Sequence, residues 1–314
     1  MQIKNEKTQP GGMAGRVLPR MVYGESHGYG MTASGFETTV AKLTREDIVK
    51  WHQTWVKPGS STLVVVGDIT LAELTTKLEQ VLGGWAKGEA PKKNLPAVQL
   101  AAKPLVYIVD KPGAIQSQIA AAHITVPGNN PEEVAVEMFA TILGSDFNAR
   151  INMNLREDKH WSYGAFGGTS AGRAMRHWTI NAPVQTDKTK ESLAEIQKEM
   201  NDIVGSRPAT EEEFTRVQSD QALKLPGRWE TLQAVSGSIA YVLNNGLPDN
   251  YFQTYAQKVR SLKLADVRAV ATKVVKPGNL IYVVVGDRAK IEEGIKSLNL
   301  GEVRYVDADG NMVK

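Results

Sequence analysis

Hydrophobic positions in two stretches of the chain follow the same plan. In residues 43–68, Ile48, Trp51, Trp55 and Val56 recur at helical spacing, and a Lys57-Pro58-Gly59 turn leads into the apolar run Leu63 to Val66. In residues 262–287, Val267, Val270, Val274 and Val275 take the same helical positions before Lys276-Pro277-Gly278 and a second β-branched run. Spacing of three and four residues predicts a helix with one apolar face. Proline and glycine end it, and the compact run of valines predicts a buried strand. Thr44 followed by Asp47 predicts an N-terminal cap for the first helix. Trp51 and Trp55 are expected in the core. The two stretches align without gaps at an offset of 219 and are identical at 11 of 26 positions. Helix, turn and strand in register point to an internal duplication.

The phase of the repeat divides the chain. Residues 85–104, rich in Lys, Pro and Ala, read as a linker. The span after it is close to one period and the span before it about half of one. The reading is therefore residues 1–100 as the C-terminal half of a first unit with its linker, and 101–314 as a complete second unit. A half unit is expected to leave sheet edges and an apolar face uncovered unless another segment covers them.

Within the second unit, residues 104–110 and 116–126 predict strands. Asn130-Pro131-Glu132-Glu133 predicts a helix start, with a cap residue, a proline in the first turn and acidic residues near the dipole. Further helices are expected over 146–157 and 188–204, an extended glycine-rich run after Trp161, and a strand over 176–184. Thr210 with Glu213 forms a capping-box pattern for a helix running towards Pro226. Strands followed by paired helices argue for an α+β fold, a two-layer sandwich with a mostly antiparallel sheet and helices on one face.

Composition narrows the chemistry. With 37 basic and 34 acidic residues, net charge +3, no charge argument favours nucleic acid or an anionic membrane. The chain has no cysteine, which excludes disulfides, thiolate metal sites and cysteine nucleophiles. The first residues hold no signal-peptide core, and no apolar run reaches the ~20 residues of a membrane helix. The five histidines, His27, His52, His123, His160 and His177, never stand three or four residues apart, so no helical His-x-x-Glu-His pair exists. His123, in an apolar strand, reads as a satisfied core histidine.

One segment carries a pattern beyond packing. Residues 141–168 contain Leu143-Gly144, Phe147, Arg150, Leu155-Arg156-Glu157 and Tyr163-Gly164. This resembles the second-domain signature of the pitrilysin/mitochondrial-processing-peptidase family of zinc peptidases, including the seven-residue spacing from Arg156 to Tyr163. The Tyr29-Gly30 region, the capped helix and the Val-Val-Val-Gly-Asp runs extend the resemblance over nearly the whole chain. His160 departs from the pattern, since glycine is common there.

That resemblance implies the non-zinc part of a metalloendopeptidase, inactive alone because His-x-x-Glu-His is absent. Arg156 and Tyr163 are the implied catalytic residues, Arg156 fixing substrate and Tyr163 donating to a developing oxyanion. His160 joins them as a candidate substrate contact. No metal or cofactor is expected in this chain. Zinc is expected on a His-x-x-Glu-His partner, upstream in the same polypeptide or on another chain of a homo- or hetero-dimer. The substrate would be a peptide bound as an added strand, and bacterial relatives suggest the periplasm. The alternatives are an inert structural or assembly module of the same fold, or, residue by residue, a surface Arg156–Glu157 ion pair and a Tyr163 that merely packs on the sheet.

Overall fold

A computed structural model describes residues 1–172 and 175–313. Its helices in the first hundred residues are α1 (Gln2–Glu6), α2 (Pro10–Tyr23), α3 (Glu37–Val40), α4 (Arg45–Trp55) and α5 (Leu71–Leu82). Next come α6 (Glu133–Ala140), α7 (Arg150–Asn152), α8 (Thr189–Val204) and α9 (Glu211–Leu223). The last are α10 (Leu232–Asn245), α11 (Tyr251–Ser261), α12 (Leu264–Val274) and α13 (Arg288–Ser297). The strands are β1 (Leu105–Asp110), β2 (Gln116–Thr125), β3 (Phe166–Thr169), β4 (Arg176–Gln185), β5 (Ile281–Gly286) and β6 (Glu302–Val306). Among the described residues no helix is long and apolar enough to cross a membrane.

The chain forms two compact units. The first comprises Met1–Phe36, Pro96–Leu223 and Asn250–Lys314, and the second Glu37–Leu95 and Lys224–Asp249. In the first, six strands run in the order β3-β4-β2-β5-β1-β6. β2 pairs antiparallel with β4 and β5, and β3 antiparallel with β4, whereas β1 pairs parallel with β5 and β6. The sheet is mostly antiparallel, as the strand-then-helix order implied.

Alternation along the strands gives each face its own layer. Ser117 on one face accepts from the Thr189 hydroxyl at the start of α8, 2.7 Å away. On that face Tyr282 also bonds Gln197 of α8, and His123 accepts from the Lys276 N–H just after α12. The opposite face is covered too. Val17, Leu18 and Val22 of α2 pack on Tyr107, Val109, Ala120, Ala122, Val283 and Val285. Arg16 anchors this helix: it is buried, donates to both Glu6 and Asp309 at 2.7 Å, and reaches Ser34 and the Gly35 carbonyl. A buried guanidinium is tolerated when its donors are all used in this way.

The duplication is written into the elements. α4 and α12 span equivalent residues at the offset of 219, as do the 3-10 turns Pro58–Ser60 and Pro277–Asn279. The Thr44 cap forms: its hydroxyl accepts from the Asp47 N–H while Asp47 accepts from the Thr44 N–H. A further pair stands outside the aligned stretches. α2 and α10 are both 14 residues long, and each ends on a positive-φ glycine, Gly24 and Gly246. α2 belongs to the compact unit that holds the second copy, and α10 to the unit that holds the first.

Two expectations fail in the first copy. Residues 62–66 form no strand, and Leu63 and Val65 are exposed. Trp51 is not a core residue but 59% exposed, and α4 buries none of its residues. The physical reason lies in the complete copy, where β5 is sandwiched between β1 and β2. Among the described residues no strand flanks residues 62–66 in that way. A third difference is smaller: the helix expected over 146–157 begins only at Arg150 and continues as a π-helix, Met153–Asp158.

Candidate functional site

Residues 141–168 fold into a support and two projecting groups. Gly144 lies against Gly167 of β3 so closely that a Cβ there would stand 2.8 Å from the Gly167 carbonyl oxygen. This contact accounts for the glycine of the Leu-Gly pair. Arg150 is buried and structural. Its Nε and Nη2 each bond the Glu213 carboxylate at 2.6 Å, and Nη2 also reaches the Pro208 carbonyl. Burial raises the Glu213 pKa, but the Arg150 bonds and the Thr210 N–H outweigh it and hold the carboxyl below its ordinary value.

Arg156 projects from the π-helix. A π turn is uncommon and recurs at functional sites because it re-aims side chains within a helix. The Arg156 guanidinium lies over the Phe147 ring, 4.6 Å from its centroid, and its Nε pairs with Glu157 at 3.2 Å. The helix ends when His160 enters the left-handed region at φ 56, the conformation that favours glycine. The His160 N–H and Nδ1 both engage the Arg156 carbonyl, at 3.2 and 3.0 Å.

The chain then reverses. Ser162 bridges to Val184, its hydroxyl donates to the Pro183 carbonyl at 2.6 Å, and it accepts from the Gly164 N–H. Tyr163, held between these contacts, stands 87% exposed. The reading of Tyr163 as ordinary sheet packing does not fit that exposure. The Arg156–Glu157 surface pair does exist, but with both side chains more than a third exposed it contributes little stability and leaves the guanidinium accessible.

Arg156, His160 and Tyr163 line one open cleft of about 340 Å³ together with Gln116, Glu157, Trp161, Ser162 and Gln185. All belong to the first compact unit. Gln116 and Gln185 are cross-strand partners at the ends of β2 and β4. Sequence reasoning missed them, because only the strand register brings residues 69 positions apart to one rim. The role of Phe147 as a shelf for Arg156 was equally invisible, although the residue stood in the motif.

The cleft does not suit a bound zinc ion. Its only carboxylate, Glu157, is paired with Arg156, and His160 uses Nδ1 on a backbone carbonyl. The Arg156 cation lining the same cleft also disfavours a dication there. Among the described residues no three His, Asp or Glu side chains converge elsewhere. His123 is a satisfied core histidine. It is buried, Nδ1–H donates to the Ile124 carbonyl, Nε2 accepts from Lys276, and burial lowers its pKa to about 4.

The family model described as the peptidase M16 inactive domain matches residues 42–220. The chain belongs to the peptidase M16 inactive-domain family. This is the pitrilysin-like group whose signature residues 141–168 resemble. Solved structures share the fold at low identity. The peptidase M16 inactive domain from Pseudomonas fluorescens superposes with a TM-score of 0.81 at 20% identity, over 91% of this chain and 68% of that one. The first half of the periplasmic protease PqqL from Escherichia coli gives 0.68 at 14%, over 94% and 69%. A chain of complex III2 from Candida albicans, solved with Inz-5 bound, gives 0.75 at 14%, over 95% and 72%. The M16 chain thus spans about two thirds of the length of these solved chains. No curated protein matches it significantly.

Proposed function

We propose that this chain is the non-zinc part of a zinc metalloendopeptidase acting on peptides or unfolded segments, contributing Arg156 and Tyr163 to an active site whose metal and general base lie on a His-x-x-Glu-His domain. The observation that carries the reading is that both side chains open into one accessible cleft of an M16 inactive domain. An extended substrate passing the cleft brings a carbonyl within reach of the Tyr163 hydroxyl, which donates a hydrogen bond as charge develops on the oxygen. Arg156, stiffened by the Phe147 ring, offers its fork of donors to a neighbouring carbonyl or a terminal carboxylate. His160 and the Gln116 and Gln185 carboxamides supply polar wall. The partner supplies zinc, so this chain alone is inactive. The periplasmic protease among the structural neighbours supports an exported setting.

A second reading is an inert assembly module, favoured by the match to a chain of complex III2. The two separate on mixing. The chain alone is expected to leave a peptide intact and to restore cleavage when combined with a His-x-x-Glu-His partner. Cleavage by this chain alone in the presence of a chelator contradicts the proposal, and assembly without gain of cleavage favours the module.

A further inference from the structure

We infer that Asn152 is a positioning residue that holds Arg156 and Tyr163 in fixed relation. The inference rests on the reading above, that the pair serves an active site. Both groups are exposed, 36% for the Arg156 side chain and 87% for Tyr163, so neither is fixed by its own burial. They also sit on different segments, a π-helix and the extended run after it, joined through the left-handed turn at His160. Backbone bonds from His160 to Arg156 and from Trp161 and Ser162 to Leu155 tie the two segments, and a buried side chain beneath them adds a second tie.

Asn152 is completely buried at that position. Its Nδ2 donates to the Phe147 carbonyl at 2.7 Å, and its Oδ1 accepts from the Ala165 N–H at 3.1 Å in a buried bond. The first bond fixes the residue whose ring carries the Arg156 guanidinium. The second fixes the backbone two residues past Tyr163. One carboxamide therefore clamps both supports, its amide NH2 donating on one side and its oxygen accepting on the other. Ser162, bonded to Pro183 and Gly164, holds the other side of Tyr163, and its N–H reaches the Leu155 carbonyl of the π-helix, but it makes no bond to Phe147, the shelf under Arg156.

The two halves of the clamp separate experimentally. Amide hydrogen exchange and Arg side-chain NMR are measured on the whole chain. In the wild type the Ala165 amide is expected to be protected like those of β5, and fast exchange there overturns the inference without any variant. Asn152→Asp, compared at rising pH until its buried carboxyl ionises, then retains the acceptor but loses the donor. It should leave Ala165 protected while shifting the Arg156 Nε–Hε resonance as Phe147 moves. Asn152→Ala should also raise Ala165 exchange by about tenfold or more while Ala121 and Val283 stay protected. Unchanged Ala165 exchange and an unchanged Arg156 resonance in both variants sink the idea, whatever their stability. Turnover is a separate arm. If the resonances move in Asn152→Ala but Tyr163→Phe leaves the assembled peptidase fully active, the clamp stands and the active-site reading falls.

Discussion

Trp51 and Val270 occupy the same position of a duplicated helix, yet Trp51 is 59% exposed and Val270 is buried. The helices α4 and α12 share their length, their following turn and the spacing of their apolar face. What differs is the partner. α12 packs against α6, α8 and α9, whereas α4 buries none of its residues and the run after it pairs with no strand among the described residues. Amphipathic pattern specifies which face of a helix will be buried, and a partner decides whether it is.

This contrast has a measurable consequence. Val270→Ala should destabilise the first compact unit by about 2 kcal/mol, through lost burial and a residual cavity. Trp51→Ala should change stability by no more than about 0.5 kcal/mol, as at an ordinary surface site. Denaturant unfolding of the two variants checks both values. A large loss for Trp51→Ala means that its ring is covered in solution.

Arg150 is a conspicuous arginine of the motif, but its work is structural. Arg150→Met leaves Glu213 half-buried without its bidentate partner and should cost about 3–5 kcal/mol. The pH dependence has a definite sign. Because the folded Glu213 pKa lies below its unfolded value, the stabilisation is present above the unfolded pKa and disappears as pH falls through the folded one. Urea unfolding from pH 7 downward should therefore show the gap between wild type and variant closing in acid. A gap independent of pH contradicts the assigned pair.

His123 makes the opposite kind of demand. It is neutral in the fold with a pKa near 4, because burial penalises the imidazolium and the nearby Lys276 adds to that. The unfolded chain takes up this proton below about 6.5. Stability should thus fall as pH drops from about 6.5 to about 4, by roughly 3 kcal/mol from this residue. Following the His123 ring by NMR tests it: no titration is expected down to about pH 5, and a midpoint near 6.5 is the contrary result.

The strands of the second copy, the caps at Thr44 and Thr210, and the duplication were legible because each depends on local pattern or short spacing. The exposure of Trp51 and the unpaired run 62–66 were not, because periodicity reports an apolar face and not whether strands exist to cover it. At the site, Arg156, His160 and Tyr163 were named from the motif, and the fold brings them to one cleft. Gln116 and Gln185 meet only through the register of β2 on β4. Asn152 gives no sequence signal of its own, since a buried asparagine is distinguished only by the two backbone groups it satisfies. The covering of the second sheet face by α2 depends on contacts such as Arg16 with Asp309, nearly 300 residues apart in sequence.

The central claim concerns one hydroxyl. Tyr163→Phe removes it and leaves the ring, the cleft and the Arg156 shelf in place. In a reconstituted pair with a His-x-x-Glu-His partner, kcat for peptide cleavage should fall about a hundredfold or more while KM and complex formation stay unchanged. Full turnover by the Tyr163→Phe pair would contradict the account.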